Sequence, residues 1–500
     1  MDSSRSQNPF LLVLLIVGLL GGLSLLKPGL TVGGAELRPV RLLADVLRRT
    51  PARGPAALAP PPPNGPAAPK TSAAGPVATP APPAASGPPD EQPRAPAVPN
   101  LGGLDSFLAA LHQTQADGSP VRIAYFGDSM IEGDMITGEL RNNLQTAFGG
   151  AGVGFVPINS ITAAFRETVR QSFSANWYEY NLVSDKIPAG APLGVSGHVF
   201  LPRELPAANS GVVPDTSWVQ FEGGRPYAAV RRLPLARLFY GPGDGRDEVL
   251  VTTNGHLVPH ALPGTQAVNE LLLRPGTPAR QMRLAFATHD RRPVYGVSFE
   301  GERGVVLDNF SFRGNSGMSL TKIPFAQLAA FGKLLDYRLI VLQYGVNIAD
   351  ARNQNYTFYE RAMTRVVDRL QRAFPNASIL IVGMSDKSSR IDGEFVTDPS
   401  VPRLLAAQHR LAERTHAAFW NLFEAMGGEN SMVSWVENSP PLANKDYTHV
   451  NYRGGRKIAG LLFDYLLAEY KQAELAPSPT PKVPAAPRPD SAATPAAASR

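Results

Sequence analysis

The sequence contains no cysteine, which removes disulfide scaffolds, thiolate zinc and iron–sulfur sites and cysteine nucleophiles from consideration. Any covalent catalysis therefore falls to another side chain. Charge is scarce as well, at 18% of residues against the usual quarter or so. Lys and Arg number 48 against 42 Asp and Glu, a formal charge of +6. With no dense basic stripe interleaved with aromatics, no nucleic-acid partner is expected. Long apolar runs are missing too, with one exception at residues 10–26, which are apolar or glycine apart from Ser24 and are flanked by Arg5 and Lys27.

Proline and glycine, by contrast, are plentiful and unevenly placed, at 48 and 46 residues. Residues 51–100 hold 17 prolines among alanine, glycine and serine. Such a stretch buries too little surface to offset its ordering entropy, and it reads as a semi-rigid, disordered spacer. Fully stretched as polyproline helix it would reach on the order of 150 Å. The tail at 476–500 has the same composition. The run at 10–26 is at the short edge of a membrane span. The rival reading is a secretory signal peptide, with Gly33, Gly34 and Ala35 as the cleavage site, although these lie far past the apolar run. Residues 1–50 are thus expected to be an anchor and juxtamembrane segment, with 36–50 as a short amphipathic helix. Anchor, spacer, then body suits a single-pass membrane protein whose body is extracytoplasmic (periplasmic), or a secreted protein if the anchor is cleaved.

In the body, residues 121–126 read as a strand, Gly127, Asp128 and Ser129 break it, and Ile136, Leu140, Leu144 and Ala147 recur at helical spacing. Four more apolar runs, at 304–312, 338–343, 377–382 and 417–422, read as buried strands. Helical patterns at 323–335, 358–370, 404–416 and 458–470 separate or follow them. This alternation predicts α/β architecture, a parallel sheet covered by helices on both faces. Between the first two strands the helical period is lost, and short alternating runs at 218–221, 237–240, 248–253, 269–273, 282–287 and 294–299 take over. Asn254 and Gly255 tolerate the positive φ of a type I′ hairpin turn. The expected organisation is an α/β domain at 101–162 and 304–475, interrupted at 163–303 by an inserted all-β sandwich.

In an open parallel sheet, reactive groups gather at the carboxyl edge of the strands. Ser129 falls there, where the first turn of the following helix would favour a developing negative charge. A serine hydroxyl needs a base to become a nucleophile, and histidine is the usual one at neutral pH. Asp446, Tyr447, Thr448 and His449 supply it, because a carboxylate three residues before an imidazole can reach Nδ1 and fix its tautomer.

Four blocks in this order resemble the SGNH (GDSL) hydrolase superfamily: Phe126-Gly-Asp-Ser129, Ser311-Phe-Arg-Gly314, Tyr344-Gly-Val-Asn347 and Asp446-Tyr-Thr-His449. The resemblance covers residues 121–159 and 304–470 and implies a flavodoxin-like three-layer fold. It implies Ser129 as nucleophile, His449 as base and Asp446 as its orienter. The oxyanion hole would comprise the backbone amides of Ser129 and Gly314 and the side-chain amide of Asn347, with Gly317 competing with Gly314. The family's Asn-Asp pair is absent, since Ile348, Ala349 and Asp350 follow Asn347, which leaves the part played by Asp350 open. No metal or organic cofactor is implied.

An insert between the first two blocks, with the glycine-rich stretch 148–157 after the first helix, is similar to bacterial peptidoglycan and polysaccharide O-acetylesterases, where the insert resembles a carbohydrate-binding module. Trp177, Tyr178, Trp218 and Tyr227 are its candidate sugar-stacking residues, each more often a core residue. The expected partner is an acetylated glycan, peptidoglycan or an exported polysaccharide. The expected reaction is removal of its O-acetyl groups through an acyl-serine. Acetyl transfer from the same serine and a non-catalytic glycan-binding or assembly role stand as alternatives. His256 and His260 lack a carboxylate pattern for metal binding, and glycines 149–154 lack the lysine of a phosphate loop. Met384, Ser385 and Asp386 follow the fourth strand at the active edge.

Overall fold

The computed structural model describes residues 31–32, 35–36, 103–184, 186–188, 191–204, 216–289 and 291–475. The apolar run at 10–26, the spacer at 51–100 and the tail at 476–500 lie outside them. Thr31–Val32 and Ala35–Glu36 form one small unit by themselves, two short antiparallel strands. Glu36 is therefore in a strand and not at the start of the expected helix, whose residues 37–50 are outside the described set.

The α/β body begins with α1 (Asp105–Asp117), which the sequence reading did not anticipate. Its strands are β1 (Val121–Gly127), β2 (Val305–Ser311), β3 (Tyr337–Gln343), β4 (Ser378–Val382) and β5 (Ala418–Trp420). Every neighbouring pair is parallel, in the order β2-β1-β3-β4-β5. The helices are α2 (Thr137–Phe148), α3 (Phe325–Leu335), α4 (Thr357–Ala373), α5 (Ser400–Thr415), α6 (Leu422–Met426), α7 (Ser431–Glu437) and α8 (Tyr452–Leu475).

The period-2 alternation of strand side chains divides the core into two layers. Ile123 and Tyr125 of β1 pack with Leu108 of α1, Leu144 of α2 and Ile458 of α8. Ala124 and Phe126 face the other way, toward Phe331 of α3, Val366 of α4 and Leu404 of α5. This is the doubly wound, flavodoxin-like strand order, and its direction reverses between β1 and β3. In open sheets of this order ligands generally bind at such a switch point, which here is flanked by the segments following β1 and β3.

Between β1 and β2 the chain builds two antiparallel sheets. The first runs His256–Ala261, Glu248–Thr253, Gln281–Ala287, Thr216–Gly223, Val169–Phe173. The second runs Asn269–Leu273, Leu235–Tyr240, Val294–Glu300, His198–Pro202, Trp177–Asn181. One buried cluster draws on both, joining Val219, Phe221 and Leu284 to Leu238, Val297 and Phe299. Asn254 and Gly255 turn the 248–261 hairpin with φ of 51° and 83°, as a type I′ turn requires. Gly154–Val156 also pairs with Val294–Glu300, so the chain enters these sheets before residue 163.

A buried ion cluster ties the sheets to the α/β body. Arg122 of β1 donates to both carboxylate oxygens of Asp308 on β2, at 2.9 and 2.7 Å, and also pairs with Glu300. Tyr337 of β3 donates to Asp308 at 2.6 Å, and the amide of Phe155 does so at 2.8 Å.

Candidate active site

Ser129 lies two residues past the end of β1, after Asp128, and is half-buried. It opens a short 3₁₀ segment, Ser129–Asp134, that is broken at Glu132 and Gly133. The long helix starts only at Thr137. The expectation that Ser129 sits in that helix's first turn is corrected accordingly. Gly133 and Asp134 both take left-handed φ, 62° and 64°, which interrupts helix propagation. Asp134 is held there by Arg141 at 3.1 Å and Arg166 at 2.9 Å, all three buried. Burial alone would raise its carboxyl, but the two guanidiniums and the Thr168 hydroxyl outweigh it and hold it far below the usual carboxylate range.

The loop preceding α8 brings the other groups. Ser129 Oγ lies 3.0 Å from His449 Nε2, and His449 Nδ1 lies 2.8 Å from Asp446 Oδ2. The other carboxylate oxygen of Asp446 accepts the amides of Thr448 (3.1 Å) and His449 (3.0 Å), so Asp446 orients both the loop and the ring. Partial burial raises the Asp446 carboxyl, but the His449 amide and ring prevail and leave it below its ordinary value. His449 and Asp446 remain open to solvent, with side chains 37% and 50% exposed.

Tyr447, between them, adopts φ of 54°, a costly conformation for a bulky residue. Its neighbour is a hairpin, Ser388–Ile391 with Glu394–Thr397, that the sequence pattern did not reveal. Phe395 stacks on the Tyr447 ring at 3.7 Å with planes 8° apart. The amide of Ser388 donates to the Tyr447 carbonyl at 2.9 Å.

The remaining predicted residues lie around the switch point. Asn347 follows β3 in a turn entered through Gly345, whose φ of 153° and 2.6 Å clearance from Met384 Cβ exclude a side chain. Asn347 Nδ2 donates to Asp128 Oδ2 at 3.1 Å and to the Asn315 carbonyl at 3.0 Å. Both amide hydrogens are thus engaged, and donation to an oxyanion requires one to exchange partners. Asp128, unassigned by the sequence reading, accepts the Met130 amide at 3.0 Å. Burial pushes its carboxyl up to about 7, against the Met130 amide, His449 and Asn347.

The two glycines proposed for the second block differ. Gly317 is buried, and its amide donates to Asn315 Oδ1 at 2.9 Å. Gly314 is exposed with φ of 77°, and among the described residues its amide has no acceptor. Asp350 is turned away, bound to Arg352 at 2.8 Å, and that hydrogen bond lowers its carboxyl to about 2. Asp386 caps α7 through the Met432 amide at 2.7 Å.

Of the aromatic candidates, Trp177 is buried in the core. Tyr178 lies beneath Arg203 at 4.6 Å and Trp218 beneath Arg283 at 4.0 Å. Tyr227 donates to Glu139 at 2.9 Å. Among the described residues no helix is long and apolar enough to cross a membrane, and no three His, Asp or Glu side chains form a metal-binding group.

No protein-family model matches the chain, and no curated protein matches it. Solved structures do. One described as a peptidoglycan O-acetylesterase in action superposes with TM-score 0.60 at 20% identity, covering 75% of this chain and 99% of its own. An acetyl xylan esterase, AlAXEase, matches with TM-score 0.26 at 17% identity, over 32% of this chain and 81% of its own. A structure described as a GDSL-like lipase from Parabacteroides merdae matches with TM-score 0.25 at 16% identity, over 32% and 72%. At such identities a likeness speaks for architecture. Taken with the parallel sheet order, the first superposition establishes that this chain has an SGNH hydrolase-like fold.

Proposed function

We propose that the chain is a serine esterase that removes O-acetyl groups from peptidoglycan or an exported polysaccharide. The observation that carries this reading is the relay Ser129 Oγ to His449 Nε2 at 3.0 Å and His449 Nδ1 to Asp446 at 2.8 Å. Support for the substrate class comes from the superposed structure described as a peptidoglycan O-acetylesterase.

In the proposed course, His449 takes the Ser129 proton as Oγ attacks the acetyl carbonyl carbon. The resulting oxyanion is received by the Ser129 and Gly314 amides and by the Asn347 side chain once it exchanges one partner. Collapse expels the sugar alcohol, which receives the proton from His449, and leaves acetyl-serine. Water, deprotonated by His449, then attacks the acyl carbonyl, and collapse returns that proton to the departing Ser129 Oγ and releases acetate. No cofactor enters this course. The exposure of His449 and Asp446 favours water over a sugar hydroxyl as acceptor, since transfer needs water kept out.

We read the two antiparallel sheets as the inserted β-sandwich with a carbohydrate-binding role, and the apolar run at 10–26 as an anchor placing the body outside the cytoplasm. The test is fluorophosphonate labelling of the full chain together with acetate release from O-acetylated peptidoglycan. Labelling at Ser129 with acetate release supports the reading, and its loss in Ser129→Ala assigns the nucleophile. An unreactive Ser129 overturns it.

A further inference from the structure

The first antiparallel sheet turns Val219, Phe221, Val251 and Leu284 inward, so the alternate residues stand on its outer face. Two adjoining hollows, ≈ 440 and ≈ 290 Å³, open on this side and share Glu222 and Arg280. Their rims carry Arg225, Arg231, Arg232, Arg280 and Arg283. The first four are exposed, and among the described residues none has an ion-pair partner. Arg283 lies over the Trp218 ring at 4.0 Å. The one carboxylate in the floor, Glu222, is already paired with Arg170 at 3.3 Å.

Five guanidiniums around one neutralised carboxylate repel one another, and a bound polyanion relieves that repulsion. Guanidinium forks match carboxylates in bidentate geometry. Between them, Gln220, Gln281 and Thr252 offer amide and hydroxyl groups suited to sugar hydroxyls.

We infer that this face is a docking surface for a carboxylate-bearing polysaccharide, separate from the residues around Ser129. The choice of a polysaccharide rests on the esterase reading, whereas the anionic character rests on the arginines alone. None of the five arginines belongs to the Ser129–His449–Asp446 relay. A chain held here would present its acetyl groups to the relay repeatedly, raising their effective concentration.

The test is affinity electrophoresis of the full chain in gels containing polygalacturonate, neutral dextran, inorganic polyphosphate or single-stranded DNA. Polygalacturonate is expected to retard the protein, dextran to leave it unretarded, and added salt to reverse the retardation. Arg231→Glu with Arg232→Glu is expected to weaken binding about tenfold or more. Arg280→Glu serves as an independent variant, and thermal unfolding checks that each is folded. Ser129→Ala is expected to bind like the parent, so a failed esterase reading and a failed docking surface are told apart. Equal retardation by dextran, stronger retardation by polyphosphate or DNA, or undiminished binding by folded charge-reversal variants overturns the proposal.

Discussion

Replacing Phe395 with alanine tests whether the 388–397 hairpin holds the base in place. Phe395 covers one face of Tyr447 at 3.7 Å with rings 8° from parallel. Tyr447 sits between Asp446 and His449 with φ of 54°, a left-handed conformation that costs about 1–2 kcal/mol in a residue of this kind. An aromatic pair contributes about 0.5–1.5 kcal/mol beyond its area. Phe395 is 39% exposed, which favours the lower part of that range. Removing the ring therefore lets the loop relax by about 0.5–1 kcal/mol, and the fraction of molecules with His449 against Ser129 falls. At about 1.36 kcal/mol per tenfold, kcat on a small acetyl ester is expected to drop about two- to fivefold. KM should hold, since the stack touches the loop and not the ester. Phe395→Trp should restore kcat. An unchanged kcat, or a raised KM at constant kcat, would refute the reasoning.

The buried network at Asp134 yields a stability prediction. Asp134→Asn leaves Arg141 and Arg166 uncompensated and is expected to cost about 3–5 kcal/mol by denaturant unfolding. Because the folded carboxyl is held far below its unfolded value, its contribution is complete above about pH 4 and fades on acidification. Asp128 has the opposite sign. Its carboxyl is raised to about 7 when folded, so ionisation opposes folding as pH climbs from its unfolded value toward neutrality. The stability of Asp128→Asn relative to the parent should improve by about 4 kcal/mol between about pH 4 and pH 8, and parallel melts at the two pH values check it. For Asn347→Ala, steady-state kinetics should show kcat lower by about 10²–10³-fold with little change in KM. A parent-like kcat would remove Asn347 from the oxyanion hole.

The order of strands and helices was legible because it is written locally: period 2 and period 3.6 need only neighbouring residues, and the Asn254-Gly255 turn needs two. Two of the elements that went unseen lacked that local contrast. Val169–Phe173 alternates weakly, as Val-Arg-Gln-Ser-Phe, and is shaped by its pairing with Thr216–Gly223. The hairpin at 388–397 has two four-residue strands, too short for a period to emerge. Asp128 lies inside the first of the four blocks, but its role depends on Asn347 and on burial, neither visible along the chain.

The sequence offered Ser129, Asp446 and His449 as candidates through their chemistry and local context, and Gly314 and Asn347 through what the resemblance to the SGNH hydrolases implies. Tertiary structure alone decided that, among the described residues, the Gly314 amide has no acceptor whereas that of Gly317 does, that both hydrogens of Asn347 are engaged, and that Asp350 turns away to Arg352. The arginine face was equally hidden, because its members are scattered from Arg225 to Arg283 on elements that meet only when the sheet pairs. Ser129 and His449 are 320 residues apart in sequence. Hydrophobic layering on a parallel sheet brings them within hydrogen-bond distance, and no property of either residue by itself specifies that.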